Sequence, residues 1–187
     1  MSNSYIPKSF RFDLLVYNPA NDEYYNLQYL LAFLKLYIKH AKYLEDDFSI
    51  FKQNSLNGAL NFLANVSPHC YIVLAGKKFC GFFALENIKG SENKLHSAEV
   101  IACFDRKYWG EFTKITALMF KNYCFESLKL RKLKAVVYPQ NNAVKILLKK
   151  SGFKLEAKLK NETVKNGKYQ DLEIYSTIYK NGGKNAN

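Results

Sequence analysis

The sequence predicts an α/β protein built on a mixed β-sheet of about seven strands, flanked by about four helices. Three observations carry this. Runs of period two alternate with runs of helical period along the chain. Two turn signals, Ala75-Gly76-Lys77-Lys78 and Asn166-Gly167, each lie between β-rich runs and so imply antiparallel hairpins. Between His96 and Gly152 the pattern becomes strand, loop, helix, strand, helix, which adds αβ crossovers to the hairpins and makes the sheet a mixed one.

Phe10, Phe12, Leu14 and Val16 alternate with Arg11, Asp13 and Leu15, which predicts a first strand. Asn18-Pro19 breaks it, and Asp22 can cap a helix over 23–44, where Leu27, Leu30, Leu31, Leu34 and Ile38 recur at helical spacing. Leu56, Leu60 and Leu63 predict a second helix over 55–64. A hairpin follows in YIVLAGKKFCGFFALENI, then a polar turn over 89–94 and a strand over 96–104. After a break at 105–111 comes a helix over 113–128, a strand over 133–138 ended by Pro139, and a compact helix over 142–150 stopped by Gly152. Strands over 155–161 and 169–179 close the order β-α-α-β-β-β-α-β-α-β-β.

At 187 residues the expectation is one domain spanning 1–187, with flexible termini at 1–9 and 180–187. A chain this long buries about 70% of its unfolded surface and needs no disulfide or metal staple. The longest apolar stretch, 29–38, is interrupted by Lys35 and is too short to span a bilayer, and MSNSYIPKSF lacks the apolar core of a secretory signal. We expect a cytoplasmic protein with no membrane partner, as a monomer or homodimer. Cys70, Cys80, Cys103 and Cys124 form no CxxC pair and no zinc spacing, and read as small buried side chains in a reducing compartment. The net charge of +12 is spread over scattered lysines without a dense run, so a nucleic-acid partner is not the expectation.

A strand that ends in a loop opening a helix can bind phosphate, because the first helical turn offers unpaired N–H groups and the positive end of the helix dipole. The loop here is Arg106-Lys107-Tyr108-Trp109-Gly110-Glu111-Phe112-Thr113. Gly110 permits close approach, and Arg106 and Lys107 add positive charge.

The C-terminal half adds a resemblance. PQNNAVKILLKKSGF, residues 139–153, resembles the segment of the GNAT N-acetyltransferase superfamily in which an Asn ends a strand, an amphipathic helix follows, and Gly-Phe closes it. Asn141 and Gly152 stand eleven residues apart, as in that family, and Lys150 falls at its usual lysine. Downstream, Glu156, Asn166-Gly167-Lys168-Tyr169, Asp171 and Tyr175 resemble the RimJ/RimL-like branch. Upstream, KYWGEFTKITALMF is similar to its cofactor loop, written Q/R-x-x-G-x-G/A. The resemblance covers residues 96–179 in motif and 10–95 in element order.

It implies a GNAT fold, with a wedge between two splayed parallel strands, 96–104 and 133–138. Acetyl-CoA is expected there, its pyrophosphate on the N–H groups of Lys107, Trp109, Gly110, Glu111, Phe112 and Thr113. Its pantetheine is expected along Ile101, Cys103 and Phe104, with Asn141 near the thioester. An amine acceptor, a protein N-terminus or a small amine, would attack directly. Glu99 and His96, on the strand beside the wedge, are the candidate proton acceptors. Trp109 is expected to pack the loop, and Tyr169 and Tyr175 to pack the last hairpin. Three positions depart from the family pattern. Phe112 replaces a small loop residue and is expected to crowd the pyrophosphate. Leu148 replaces a frequent Tyr, and Val144 a Ser or Ala. These favour an alternative, a catalytically silent GNAT-fold binding or assembly module, of the kind a phage could carry in its virion gene block.

Overall fold

The computed structural model describes residues 9–15, 27–44, 46–48, 55–91 and 94–179. The elements are β1 (Arg11–Leu14), α1 (Leu27–Leu44), α2 (Leu56–Val66), β2 (Cys70–Ala75), β3 (Lys78–Ser91), β4 (Lys94–Phe104), α3 (Glu111–Glu126), β5 (Lys132–Val137), α4 (Asn142–Lys150), β6 (Lys154–Lys165) and β7 (Lys168–Ile178). A 3-10 turn, Arg106–Tyr108, precedes α3. The seven strands form one sheet in the order β1-β2-β3-β4-β5-β7-β6. All neighbours are antiparallel except β4 and β5, which run parallel.

Local chemistry sets these boundaries. Asn166 and Gly167 take φ +54° and +70°, the pair of left-handed residues a two-residue hairpin requires, and Lys165 pairs with Lys168 across them. The Ser55 hydroxyl accepts the Gly58 N–H at 2.9 Å and caps α2, a contact worth about 1 kcal/mol. Asn141 caps α4 in the same way, accepting the Val144 N–H at 3.4 Å. The expected strand over 155–161 is longer than its alternation suggested, reaching Lys165, and the expected turn over 89–94 is partly strand, since β3 continues to Ser91. The expected features at Val16, Asn18-Pro19 and Asp22, and most of both termini, lie outside the described residues.

The sheet separates two apolar cores. On one face Phe112, Phe120, Cys124 and Phe125 of α3 and Leu148 of α4 pack on Val73, Phe83, Leu85, Ala98, Leu133, Ala135 and Val137. On the other, Phe33, Leu34 and Tyr37 of α1 and Leu63 and Val66 of α2 pack on Ile72, Leu74, Phe82, Ala84 and Cys103. Aromatic rings fill much of the first core, with Phe83 and Phe120 stacked at 4.4 Å between centroids. All four cysteines are free and buried in these cores. Among the described residues no helix is long and apolar enough to cross a membrane, and no group of His, Cys, Asp or Glu could hold a metal ion.

Candidate functional site: a wedge between parallel strands

β4 and β5 pair through only Ser97↔Lys132, Ala98↔Leu133 and Glu99↔Lys134. Beyond that point β4 continues to Phe104 and β5 to Val137 without pairing to each other. The strands part at Glu99 and Lys134, and the sheet opens a wedge bordered by residues 100–104 and 135–137. On its far side β4 remains paired to β3 up to Phe104↔Gly81. The close approach there needs a glycine, because a Cβ on Gly81 would meet the Cys103 carbonyl oxygen at 2.5 Å. Backbone groups alternate between the two edges of a strand: the Cys103 C=O points at Gly81 and the Asp105 N–H at Cys80, both on β3. The edge that faces the wedge without a strand partner is therefore that of Val100 and Ala102, between Glu99 and the Ile101, Cys103 and Phe104 segment, and it is a template for an extended, amide-bearing ligand.

The loop after β4 stands at the wedge mouth. Gly110 precedes α3 with φ +100° and ψ −128°, a conformation reserved for glycine, and no side chain caps the helix. The first intrahelical bond from outside the helix is Lys114 N–H to Gly110 C=O at 3.1 Å. The N–H groups of Glu111, Phe112 and Thr113 therefore head α3 without a carbonyl four residues back, as the free donors of an uncapped helix N-terminus. Glu111 is the one acidic residue in the first turn, and Lys114 bridges it at 3.0 Å. Arg106 and Lys107 lie exposed beside it, with Lys107 Nζ 4.9 Å from the Tyr108 ring centre.

Phe112 does not occupy the position expected of it. Its ring is fully buried, 5.3 Å from Tyr108, 5.4 Å from Phe10 and 6.3 Å from Phe104 between centroids. It points into the core under α3, not into the loop mouth, so the expected crowding of a pyrophosphate is absent. The Thr113 hydroxyl is likewise turned inward, donating to Tyr108 C=O at 2.7 Å, which leaves only its N–H for the loop. Trp109 is half-exposed and its indole N–H donates to the Phe104 C=O at 2.9 Å, tying the loop to the end of β4.

Across the wedge, the turn from β5 into α4 carries Asn141. This turn is braced: Lys145 Nζ donates to Pro139 C=O at 2.5 Å and lies 3.6 Å from the buried Glu173 of β7. Burial alone would push the Glu173 carboxyl up, but the Tyr175 hydroxyl, Lys145 and Lys158 together hold it below the usual range. Leu148 is buried in the α3/α4 core and Val144 packs against it, so neither reaches the wedge as a polar group. Tyr175 is buried and hydrogen-bonds Glu173, whereas Tyr169 is exposed at the hairpin.

The two candidate proton acceptors separate. Glu99 lies at the vertex on the α1/α2 face, the face of Ile101 and Cys103. Its Oε1 accepts from Lys134 Nζ at 2.6 Å and its Oε2 from Asn87 Nδ2 at 3.0 Å. His96 is three residues earlier, at a register shift of β4 against β3 and before the parallel pairing begins at Ser97↔Lys132, so it lies on the closed side of the vertex. A carboxylate that the sequence did not single out, Glu86, is the cross-strand partner of Glu99. Burial pushes its carboxyl up, and the charge of Glu99 adds to this.

Residues 46–48, which follow α1, dock on the β6–β7 hairpin near Tyr138 at the end of β5. Asp47 accepts the N–H groups of Asn166 and Gly167 at 2.9 and 2.8 Å, and Asp46 accepts the Thr163 hydroxyl at 2.6 Å. Tyr138, at the end of β5, is half-buried with Lys165 Nζ 4.8 Å from its ring centre. His40 on α1 is buried beside Trp109, 6.3 Å between rings, and burial lowers its pKa. A separate cleft of about 390 Å³ is lined by Phe12, Leu14, Pro68, His69, Tyr71 and Tyr123. It sits at the other end of α3, about 20 Å from the Gly110 loop at 1.5 Å per residue, and brings no charged pair together.

The family model for the acetyltransferase (GNAT) domain matches residues 37–154, well over half of the chain. The chain belongs to the GNAT acetyltransferase family. Comparison with curated proteins gives no match. Among solved structures the chain is similar to the ribosomal-protein-S5-alanine acetyltransferase from Vibrio fischeri, with 17% identity over 90% of this chain and 92% of that one and a TM-score of 0.67. It is similar to Mycobacterium smegmatis RimJ in complex with CoA-disulfide, with 15% identity, 82% and 78% coverage and a TM-score of 0.66. A variant of the spermidine N-acetyltransferase SpeG from Vibrio cholerae gives 19% identity, 90% and 93% coverage and a TM-score of 0.68. At these identities the likeness shows the fold. GNAT acetyltransferases use acetyl-CoA, and the parted β4–β5 pair of this GNAT chain has the donors an extended acyl-CoA needs: strand edge, uncapped helix and positive loop.

Proposed function

We propose that this GNAT protein is an N-acetyltransferase that moves acetyl from acetyl-CoA to a primary amine by direct attack. The observation that carries the reading is the wedge with the uncapped α3 N-terminus at its mouth, where Gly110 takes a backbone conformation reserved for glycine. Acetyl-CoA supplies an activated acyl group when bound. In this reading the N–H groups of residues 110–113 and the charges of Arg106 and Lys107 hold the diphosphate. The unpaired edge of β4 at Val100 and Ala102, flanked by the side chains of Ile101 and Cys103, aligns the pantetheine, and Asn141, fixed as the α4 cap, contacts it from the β5 side. The amine approaches on the α1/α2 face and gives its proton to a carboxylate there.

One observation favours a second reading. Leu148, which stands where the family often has a thiolate-protonating Tyr, is buried apolar packing. A silent module would keep CoA binding and lose transfer, so binding and turnover are measured separately. Thermal unfolding with acetyl-CoA, CoA, ATP or sulfate tests the site first. A ligand at 100 times its Kd stabilises the native state by about 2.7 kcal/mol, a rise of roughly 5–11 °C for a domain of this size. A rise with CoA and acetyl-CoA only is the expected result. No shift at millimolar acetyl-CoA refutes the cofactor site.

A further inference from the structure

Glu86 and Glu99 face each other across the β3–β4 ladder on the side where the amine would approach, and their surroundings differ sharply. Both oxygens of Glu99 are already engaged, one by Lys134 and one by Asn87. One donor on each oxygen fixes the orientation of the Glu99 carboxylate. Glu86 makes no hydrogen bond or ion pair with any described residue. Directly opposed side chains on a ladder have Cβ atoms about 4.5–5.5 Å apart, so Glu86 is within one water of the wedge vertex.

A bulge makes this arrangement. The register of β3 against β4 slips between Glu86 and Lys89, and Asn87 takes φ +47°. Such bulges re-aim a side chain, and here the Asn87 amide is brought onto Glu99 while Glu86 keeps the sheet face of Phe82 and Ala84. The elements covering that face contribute Phe33, Leu63 and Val66, all apolar. The charged groups on the same face are Glu99 from β4, Lys132 and Lys134 from β5 and Glu156 from β6; Lys132 pairs with Glu156, and Lys134 pairs with Glu99 within reach of the Glu156 charge.

We propose that Glu86 is the proton acceptor of the acetyl transfer, and that Glu99, fixed by Lys134 and Asn87, is the stationary negative charge that holds the incoming ammonium. This rests on the acetyltransferase reading above. The ammonium gives one proton to the Glu86 carboxylate, directly or through a water. The freed nitrogen lone pair forms the N–C bond to the acyl carbon as the C–S bond breaks. The departing thiolate takes the second proton from nitrogen, giving amide and thiol, and Glu86 returns its proton to solvent. Burial, and after it the neighbouring Glu99 charge, raise the Glu86 carboxyl above the usual glutamate range, which makes it a stronger base than an exposed glutamate.

The test measures kcat and KM from pH 5 to 9 with spermidine and an alanyl peptide as acceptors, in wild type, Glu86→Gln, Glu86→Asp and Glu99→Gln, with CoA affinity measured for each. A base must be ionised to work, so wild-type activity rises with pH through the Glu86 carboxyl titration. Glu86→Gln is expected to lower kcat about 100- to 1,000-fold with little change in CoA affinity and to erase that limb, and Glu86→Asp to keep the limb at reduced rate. Glu99→Gln is expected to raise the acceptor KM and keep the limb. If Glu86→Gln does not fold, carboxyl carbon-13 NMR of the wild type decides the same question: a Glu86 signal titrating with the limb supports the assignment, and its absence overturns it. A Glu86→Gln enzyme with wild-type kcat and pH profile overturns it, as does loss of the limb in Glu99→Gln instead. A wild type that binds CoA and acetylates neither acceptor overturns the acetyltransferase reading itself, and this assignment with it.

Discussion

Replacing Phe112 distinguishes a core residue from a loop residue. The ring is fully buried and meets Phe10, Tyr108 and Phe104 edge-on or tilted, so Phe112→Ala removes a whole side chain from a filled site. Such truncations cost about 3–5 kcal/mol, the transfer free energy plus the cavity left behind. For a domain of this size that lowers Tm by roughly 6–20 °C. The backbone N–H at residue 112 is retained, so the affinity for CoA, measured calorimetrically well below the lowered Tm, should stay within about three-fold of wild type, a difference of under 1 kcal/mol. Urea unfolding gives the stability and titration gives the affinity. A stability loss under about 1 kcal/mol together with ten-fold tighter CoA binding would refute the reasoning, because it would place the ring in the loop mouth.

Gly110→Ala forces a Cβ onto a φ of +100°. We expect a loss of about 1–3 kcal/mol in thermal or urea unfolding and weaker CoA binding by titration, since the strain sits at the uncapped α3 N-terminus itself. Asp47 has its pKa lowered by the Gly167 and Asn166 N–H groups from the ordinary 3.8. Its contribution is complete above that value and is lost as pH falls through the depressed folded pKa. The Tm gap between wild type and Asp47→Asn should thus be constant from pH 7 to 4 and close below it. The four cysteines should resist a thiol reagent in the native protein and react fully in guanidinium: all are buried, and the Cys103 thiol is pushed up to about 12.

What the sequence made legible was local. Asn166-Gly167 dictates its turn by backbone preference alone, and Asn141 and Gly152 bound α4 by capping chemistry, so those elements fall where composition puts them. Direction was harder. The spacing Phe112, Thr116, Phe120, Cys124 is four residues at each step, the signature of one buried helix face, and it would have placed Phe112 in the core. Glu86 ends the period-two series Phe82, Ala84, Glu86 within an apolar run, but its pairing with Glu99 depends on a ladder register that no local signal fixes. The docking of Asp46 and Asp47 on Thr163, Asn166 and Gly167 joins residues more than 115 positions apart, beyond the reach of any window.

That long-range dock has a consequence for how the molecule is made. During synthesis residues 46–48 emerge well before the hairpin that anchors them, so this dock closes only after the last two strands have formed. Contacts of such sequence separation carry a large loop-closure cost and form late. The same few bonds are then the natural place for the native protein to open. Amide hydrogen exchange at Asn166 and Gly167 would report that opening directly, and its rate relative to the sheet core would show whether the dock opens on its own or only with the whole fold.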